Sequence, residues 1–178
     1  MKKPLHTVLC LLALACMSAQ PARAWQIEKH TDEMTDAIYY AIYTTGTVVN
    51  VKGLFNYTPQ LQLRIHPVKY FPEKDALYFK ADVLVGIESE GFPRRNPQIM
   101  TRIDDAEPVT SVWKPSTDRR AVFSPEPLAL LDQLKPSTTF RVRYATTLGD
   151  IRTTRFSTSG ITNEITKVKA LYKATLAP

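Results

Sequence analysis

Beyond position 16 the sequence has no cysteine. Its two cysteines, Cys10 and Cys16, both lie in the first 24 residues. Residues 25–178 can therefore form no disulfide, no iron–sulfur cluster and no thiolate zinc site, and they must be stable by packing alone. Glycine is scarce, with six in all, and none falls in a phosphate-cradling loop. Histidine is scarcer. Of the three, only His30 and His66 lie past residue 24, and neither has zinc-motif spacing. After Trp25 no apolar run approaches the ~20 residues that a membrane-spanning helix needs. No internal repeat, low-complexity tract or Gly-x-Ser-x-Gly element is present either.

The first 24 residues have the parts of a cleavable export signal. Lys2 and Lys3 supply the positive start, the run from Val8 to Met17 the apolar segment, and Ala22-Arg23-Ala24 the small-residue cleavage site. The expected working molecule is 25–178, a single mainly-β domain, periplasmic or secreted. Cys16 follows Ala13-Leu14-Ala15, so a lipid-anchored variant through Cys16 is an alternative expectation. Of 23 Lys+Arg and 17 Asp+Glu, the leader holds Lys2, Lys3 and Arg23 and no acid, so residues 25–178 carry 20 bases, 17 acids and a net +3. Arg94-Arg95, Arg119-Arg120 and Arg141/Arg143 read as separate solvated pairs, which argues against a nucleic-acid partner.

The rest of the chain is built of strand-forming segments. Ala37 to Thr45 is rich in aromatic and β-branched residues and ends at Gly46. Leu61 to His66 alternates apolar and polar, stopped by Pro67. Ala76 to Val85 continues the alternation, as does Ile99 to Asp104. Thr139–Ala145 and Ile151–Ser157 flank a turn at Leu148-Gly149-Asp150 and predict a hairpin. Its alternating arginines imply one solvated face that keeps an antiparallel sheet soluble.

Two helices are expected. The first has Ser124 as N-cap, Pro125 at its first position, and Leu128, Leu131 and Leu134 as its stripe. The second runs from about Thr162 to Ala174, with Ile161, Ile165, Val168 and Tyr172 as its stripe. The predicted fold class is mainly β: an antiparallel β-sandwich or curled sheet with two short helices, the second C-terminal.

The residues offer little catalytic chemistry. His30, Asp32, Glu33 and Asp36 could approach a cation, but they lack the glycine and distal glutamate of a calcium loop, so no metal or other cofactor is expected. Asp104, Asp105 and Glu107 cluster as the one candidate carboxylate set for a hydrolase. The longest irregular stretch, Gly86 to Gln98, places Phe92 beside Arg94 and Arg95, and these three are the expected binding surface. Arg102 and Asp104 are same-face neighbours on one strand and form a candidate structural pair.

The order of the pieces carries a resemblance. Trp25-Gln26-Ile27 and Asp32-Glu33-Met34-Thr35-Asp36 precede a tyrosine-rich strand. Arg102-Ile103-Asp104-Asp105, Val112-Trp113-Lys114 and Ala121-Val122-Phe123-Ser124 follow. The chain closes on Phe140-Arg141-Val142-Arg143, Thr154-Arg155-Phe156-Ser157-Thr158-Ser159-Gly160 and a helix. This resembles the bacterial type VI secretion-associated TagO (VasI) family of periplasmic proteins. The chain departs from that pattern where Ile99-Met100 stand in place of the cysteine often found before the Arg-x-Asp strand. The resemblance implies a mostly-β accessory protein that is not an enzyme, with an envelope or periplasmic protein, a secretion-system component included, as partner. The alternative expectation is a periplasmic inhibitor or immunity-type protein that binds a hydrolase.

Overall fold

The computed structural model describes residues 25–31, 38–49, 58–65, 67–71, 76–79, 84–88, 91–93, 95 and 97–176. These residues form two antiparallel sheets, a separate two-stranded ribbon and two helices. The first sheet contains β1 (Gln26–Thr31), β2 (Ile38–Thr45), β4 (Gln60–Ile65), β7 (Leu84–Glu88), β11 (Ala121–Phe123) and β10 (Lys114–Pro115), in that spatial order. The second contains β3 (Thr47–Val48), β13 (Ile151–Ser157), β12 (Thr139–Ala145), β8 (Gln98–Ile103) and β9 (Val109–Val112). The ribbon pairs β5 (Pro67–Phe71) with β6 (Ala76–Phe79). The helices are α1 (Pro127–Leu134) and α2 (Ile161–Leu176).

One core serves both sheets and both helices. It joins Ile42, Leu63 and Ile87 of the first sheet to Ile99, Phe140, Val142 and Phe156 of the second. Leu131 and Leu134 of α1 and Ile161, Val168 and Tyr172 of α2 close it. The chain passes between the sheets at Gly46, where β2 leaves the first and β3 enters the second. A Cβ at Gly46 would lie 2.4 Å from Thr154 Cγ2 and 2.6 Å from Phe156 Cε1. Thr154 and Phe156 are both fully buried, so the crossover needs a residue without a side chain.

The hairpin forms as predicted, with Phe140 opposite Phe156 and Val142 opposite Thr154. The α2 stripe is buried as its spacing implies. Gly160 makes the turn before α2 with φ +86, a conformation that favours glycine.

Three expectations require correction. The described ends of the Ala76 to Val85 segment pair in two different sheets. Its first part pairs with β5 in the ribbon, while Leu84 and Val85 begin β7 of the first sheet, and 80–83 lie outside the described residues. The first helix starts at Pro127, not Pro125, with Glu126 at the cap position. The Ser124 hydroxyl instead accepts the Glu126 N–H at 3.2 Å, a local turn that delays the helix. Leu128 is also exposed, not part of the buried stripe. Steps of three residues drift by about 60° per step around a helix of 3.6 residues per turn, so Leu128 rotates off the face that Leu131 and Leu134 share. Leu130 packs against the core in its place.

Candidate functional site

Of the stretch expected to be irregular and to bind, Gly86–Glu88 belong to β7 and Gln98 to β8, and Phe92 between them is a structural tie. Phe92 is fully buried. Its ring lies 4.9 Å from that of Tyr144, and its N–H donates to the Arg119 carbonyl at 2.8 Å. A buried aromatic of this kind anchors the loop and offers no surface to a partner, so Phe92 as a contact residue is corrected. Arg95 is exposed, and Arg94 lies outside the described residues.

The Arg102–Asp104 pair is also corrected. Asp104 ends β8 in a left-handed conformation, φ +45, which aspartate tolerates better than most residues. Its Oδ1 accepts the Thr138 N–H at 3.1 Å, the Thr138 hydroxyl at 2.8 Å and the Thr139 N–H at 2.8 Å. The Thr138 hydroxyl is the main cause of a pKa held below the ordinary aspartate value, and the two N–H groups and the Arg141 charge add to it. Arg102 turns instead to the Asp105 carbonyl, 3.3 Å from its Nη2. A carboxyl kept ionised by three donors is poorly suited to donate a proton.

Of the other candidate residues, His30 stacks on Tyr39 with ring centroids 4.8 Å apart, and its Nε2 lies 3.6 Å from a Glu28 carboxylate oxygen. Asp32, Glu33, Asp36 and His66 lie outside the described residues.

The site that the fold does build is a groove of about 400 Å³ between α1 and the second sheet. Strands β8 and β9 provide Thr101, Ile103, Val109 and Ser111, and Trp113 also lines it. Trp113 is buried, and its indole N–H donates to Ser111 Oγ at 3.0 Å, which fixes the ring. Ala129, Leu130 and Gln133 of α1 form the opposite wall. The charged groups that line the groove, Glu107 and Glu126, are both acidic. Val109 is 61% exposed on β9, which is the edge of its sheet. An apolar trough beside an edge strand, with two carboxylates among its lining groups, can accept an extended segment with apolar and basic side chains. Sequence reading missed this groove because its two walls are unremarkable segments that only the tertiary fold brings together.

The sequence motifs behind the family resemblance meet as architecture. The Trp25 indole N–H donates to the Ser159 carbonyl at 3.0 Å, which ties the entry of β1 to the turn before α2. Asp104 of the Arg-x-Asp segment holds the entry of β12, as described above.

No family model matches this chain, and no curated protein matches it by sequence. Its fold is similar to that in the crystal structure of invasion associated protein B from Bartonella henselae. The TM-score is 0.53 at 12% identity, and the match covers 86% of this chain and 95% of that one. At that identity the likeness concerns the fold.

No helix among the described residues is long and apolar enough to cross a membrane.

Proposed function

We propose that this chain is an exported envelope accessory protein that works by binding another envelope protein in the groove between α1 and β9. The observation that carries the reading is the groove itself: an apolar trough of about 400 Å³ beside an open strand edge, with Glu107 and Glu126 among its lining residues. The leader-like first 24 residues support export. The resemblance to the TagO (VasI) family supports a role beside a secretion system. An edge strand supplies backbone hydrogen bonds to an added strand, and the trough supplies the apolar contact that makes such pairing selective.

The test is Ala129→Arg. Ala129 is exposed on α1 and lines the groove, so arginine there fills the trough from a helix position that tolerates it. Capture from the host envelope with the wild-type protein should retain a partner that the variant loses, at least tenfold by quantitative mass spectrometry, while the melting temperature stays within about 2 °C. Identical capture by both proteins would overturn the groove as the binding site.

A further inference from the structure

The second sheet has an outer face, opposite the core and the groove, on which arginines that are scattered in sequence stand side by side. Phe140, Val142 and Tyr144 of β12 are buried, so strand alternation places Arg141 and Arg143 on the other side. The register sets Arg102 of β8 directly across from Arg141, and Arg141 directly across from Arg155 of β13. Arg143 is the next outward residue on β12. Directly opposed residues have Cβ atoms only about 5 Å apart, and like charges so placed are destabilising. The five strands contain no aspartate or glutamate that could relieve this.

Among the described residues, Asp104, Asp105 and Asp150 flank these strands at their ends. The Asp104 carboxylate is turned onto Thr138 and Thr139, the Asp104 backbone carbonyl accepts from Arg141 Nη1, and the Arg141 charge helps to hold that carboxyl ionised, while Asp105 offers its carbonyl to Arg102. Asp150, at the hairpin tip, lies 3.7 Å from Arg152, which points to the inner face. Arg143 and Arg155 remain exposed.

The same face also presents bare apolar groups. Ile151 is 66% exposed at the hairpin end of β13, and Val49, just beyond β3, is 56% exposed. The Val49 N–H donates to the Thr153 carbonyl at 2.8 Å, which fixes it beside the outward Thr153. A row of guanidinium groups on strands that carry no acid, next to exposed aliphatic side chains, matches the two layers of a bilayer surface. Guanidinium forks pair with phosphate oxygens, and aliphatic groups enter the acyl boundary. A soluble polyanion would use the arginines but leave Val49 and Ile151 in water.

We infer that the outer face of the five-stranded sheet docks on the surface of an anionic phospholipid bilayer. The exposed Arg143 and Arg155 hold headgroup phosphates, and Val49 and Ile151 sit among the lipids. Because arginine stays charged at every relevant pH, the contact depends on salt and not on pH.

The test uses the protein in the form its host accumulates, sedimented with vesicles of phosphatidylcholine alone or with phosphatidylglycerol added. Binding should require phosphatidylglycerol and weaken with salt. Arg143→Gln/Arg155→Gln removes two exposed charges and should reduce binding about 30-fold, at roughly fivefold per basic residue near an anionic surface. Its melting temperature should not fall, because like-charge repulsion is relieved. Val49→Ser/Ile151→Ser should reduce binding to the same vesicles by about tenfold or more. Equal sedimentation with both vesicle types, or unchanged binding by either variant, would overturn the inference. So would tight binding to soluble polyphosphate or an acidic glycan without vesicle binding, which would assign the arginines to a soluble polyanion.

Discussion

Replacing Tyr172 with phenylalanine should uncouple α2 from the first sheet, and the loss can be worked from the geometry. Tyr40 and Ile65 are the terminal register pair between β2 and β4. The Tyr172 hydroxyl is inserted at this pair. It accepts the Tyr40 N–H at 3.0 Å and donates to the Ile65 carbonyl at 2.6 Å. The ring meets that of Tyr40 edge-on at 4.8 Å, and the residue is 1% exposed. Phenylalanine keeps the ring but leaves both backbone groups without that partner. A buried polar group stranded in this way costs about 1–3 kcal/mol, so the pair should cost about 2–6 kcal/mol. For a chain of this size each kcal/mol lowers the melting temperature by about 3 °C, so Tyr172→Phe should melt about 6–18 °C lower at pH 7.

A second signature comes from titration. Burial, above all, pushes the Tyr172 hydroxyl up to about 12 from its ordinary 10.0. A raised pKa on an acid favours the neutral form in the folded state. The contribution is therefore complete below pH 10 and is lost as pH rises toward about 12. That rise corresponds to roughly 2–3 kcal/mol. The stability gap between wild type and Tyr172→Phe, read from urea denaturation, should narrow by about that amount between pH 9 and pH 12. A variant that melts within about 1 °C of wild type, or a gap that stays constant with pH, would refute the reasoning.

Two further predictions concern the sheet crossover and the β8 turn. Gly46→Ala places a methyl group against Thr154 and Phe156, neither of which has space to move, and should cost about 1–3 kcal/mol, seen as a lower urea midpoint at unchanged slope. Asp104→Asn keeps the left-handed turn accessible but removes a charge whose folded pKa is depressed. The wild-type contribution is present above the unfolded aspartate pKa of about 3.9 and is lost as pH falls below it. Thermal melts should therefore show wild type losing more stability than Asp104→Asn between pH 7 and pH 3; parallel losses would remove Asp104 as the clasp on Thr138 and Thr139.

The hairpin and α2 were legible because each carries its own signal. Alternation in Thr139–Ala145 and Ile151–Ser157 shares a turn, and the α2 stripe is long enough to identify its buried face. Strand β1 was not legible. Gln26–Thr31 is an edge strand of mostly polar residues, paired on one side, and an exposed strand needs no apolar alternation. Phe92 misled for a related reason. Beside Pro93 and two arginines it reads as surface, yet the Tyr144 ring and the Arg119 carbonyl that hold it are far along the chain. The candidate groove had no signal at all, because it is the space between elements.

The arginines show how much depends on register. In sequence Arg102 stands alone, Arg141 and Arg143 read as one solvated pair, and Arg155 belongs to another strand. Shifting β12 by one residue against β13 would turn Arg141 toward the core and dissolve the row. That register is fixed by the inner face, where Phe140 lies opposite Phe156 and Val142 opposite Thr154 in a packed core. The core packing therefore determines the charge pattern on the far side of the sheet. Simple solubility would be met as well by arginines alternating with acids, which attract where these repel. A fold that holds three arginines abreast against their repulsion, with no acid in the five strands, has a surface better matched to phosphate than to water.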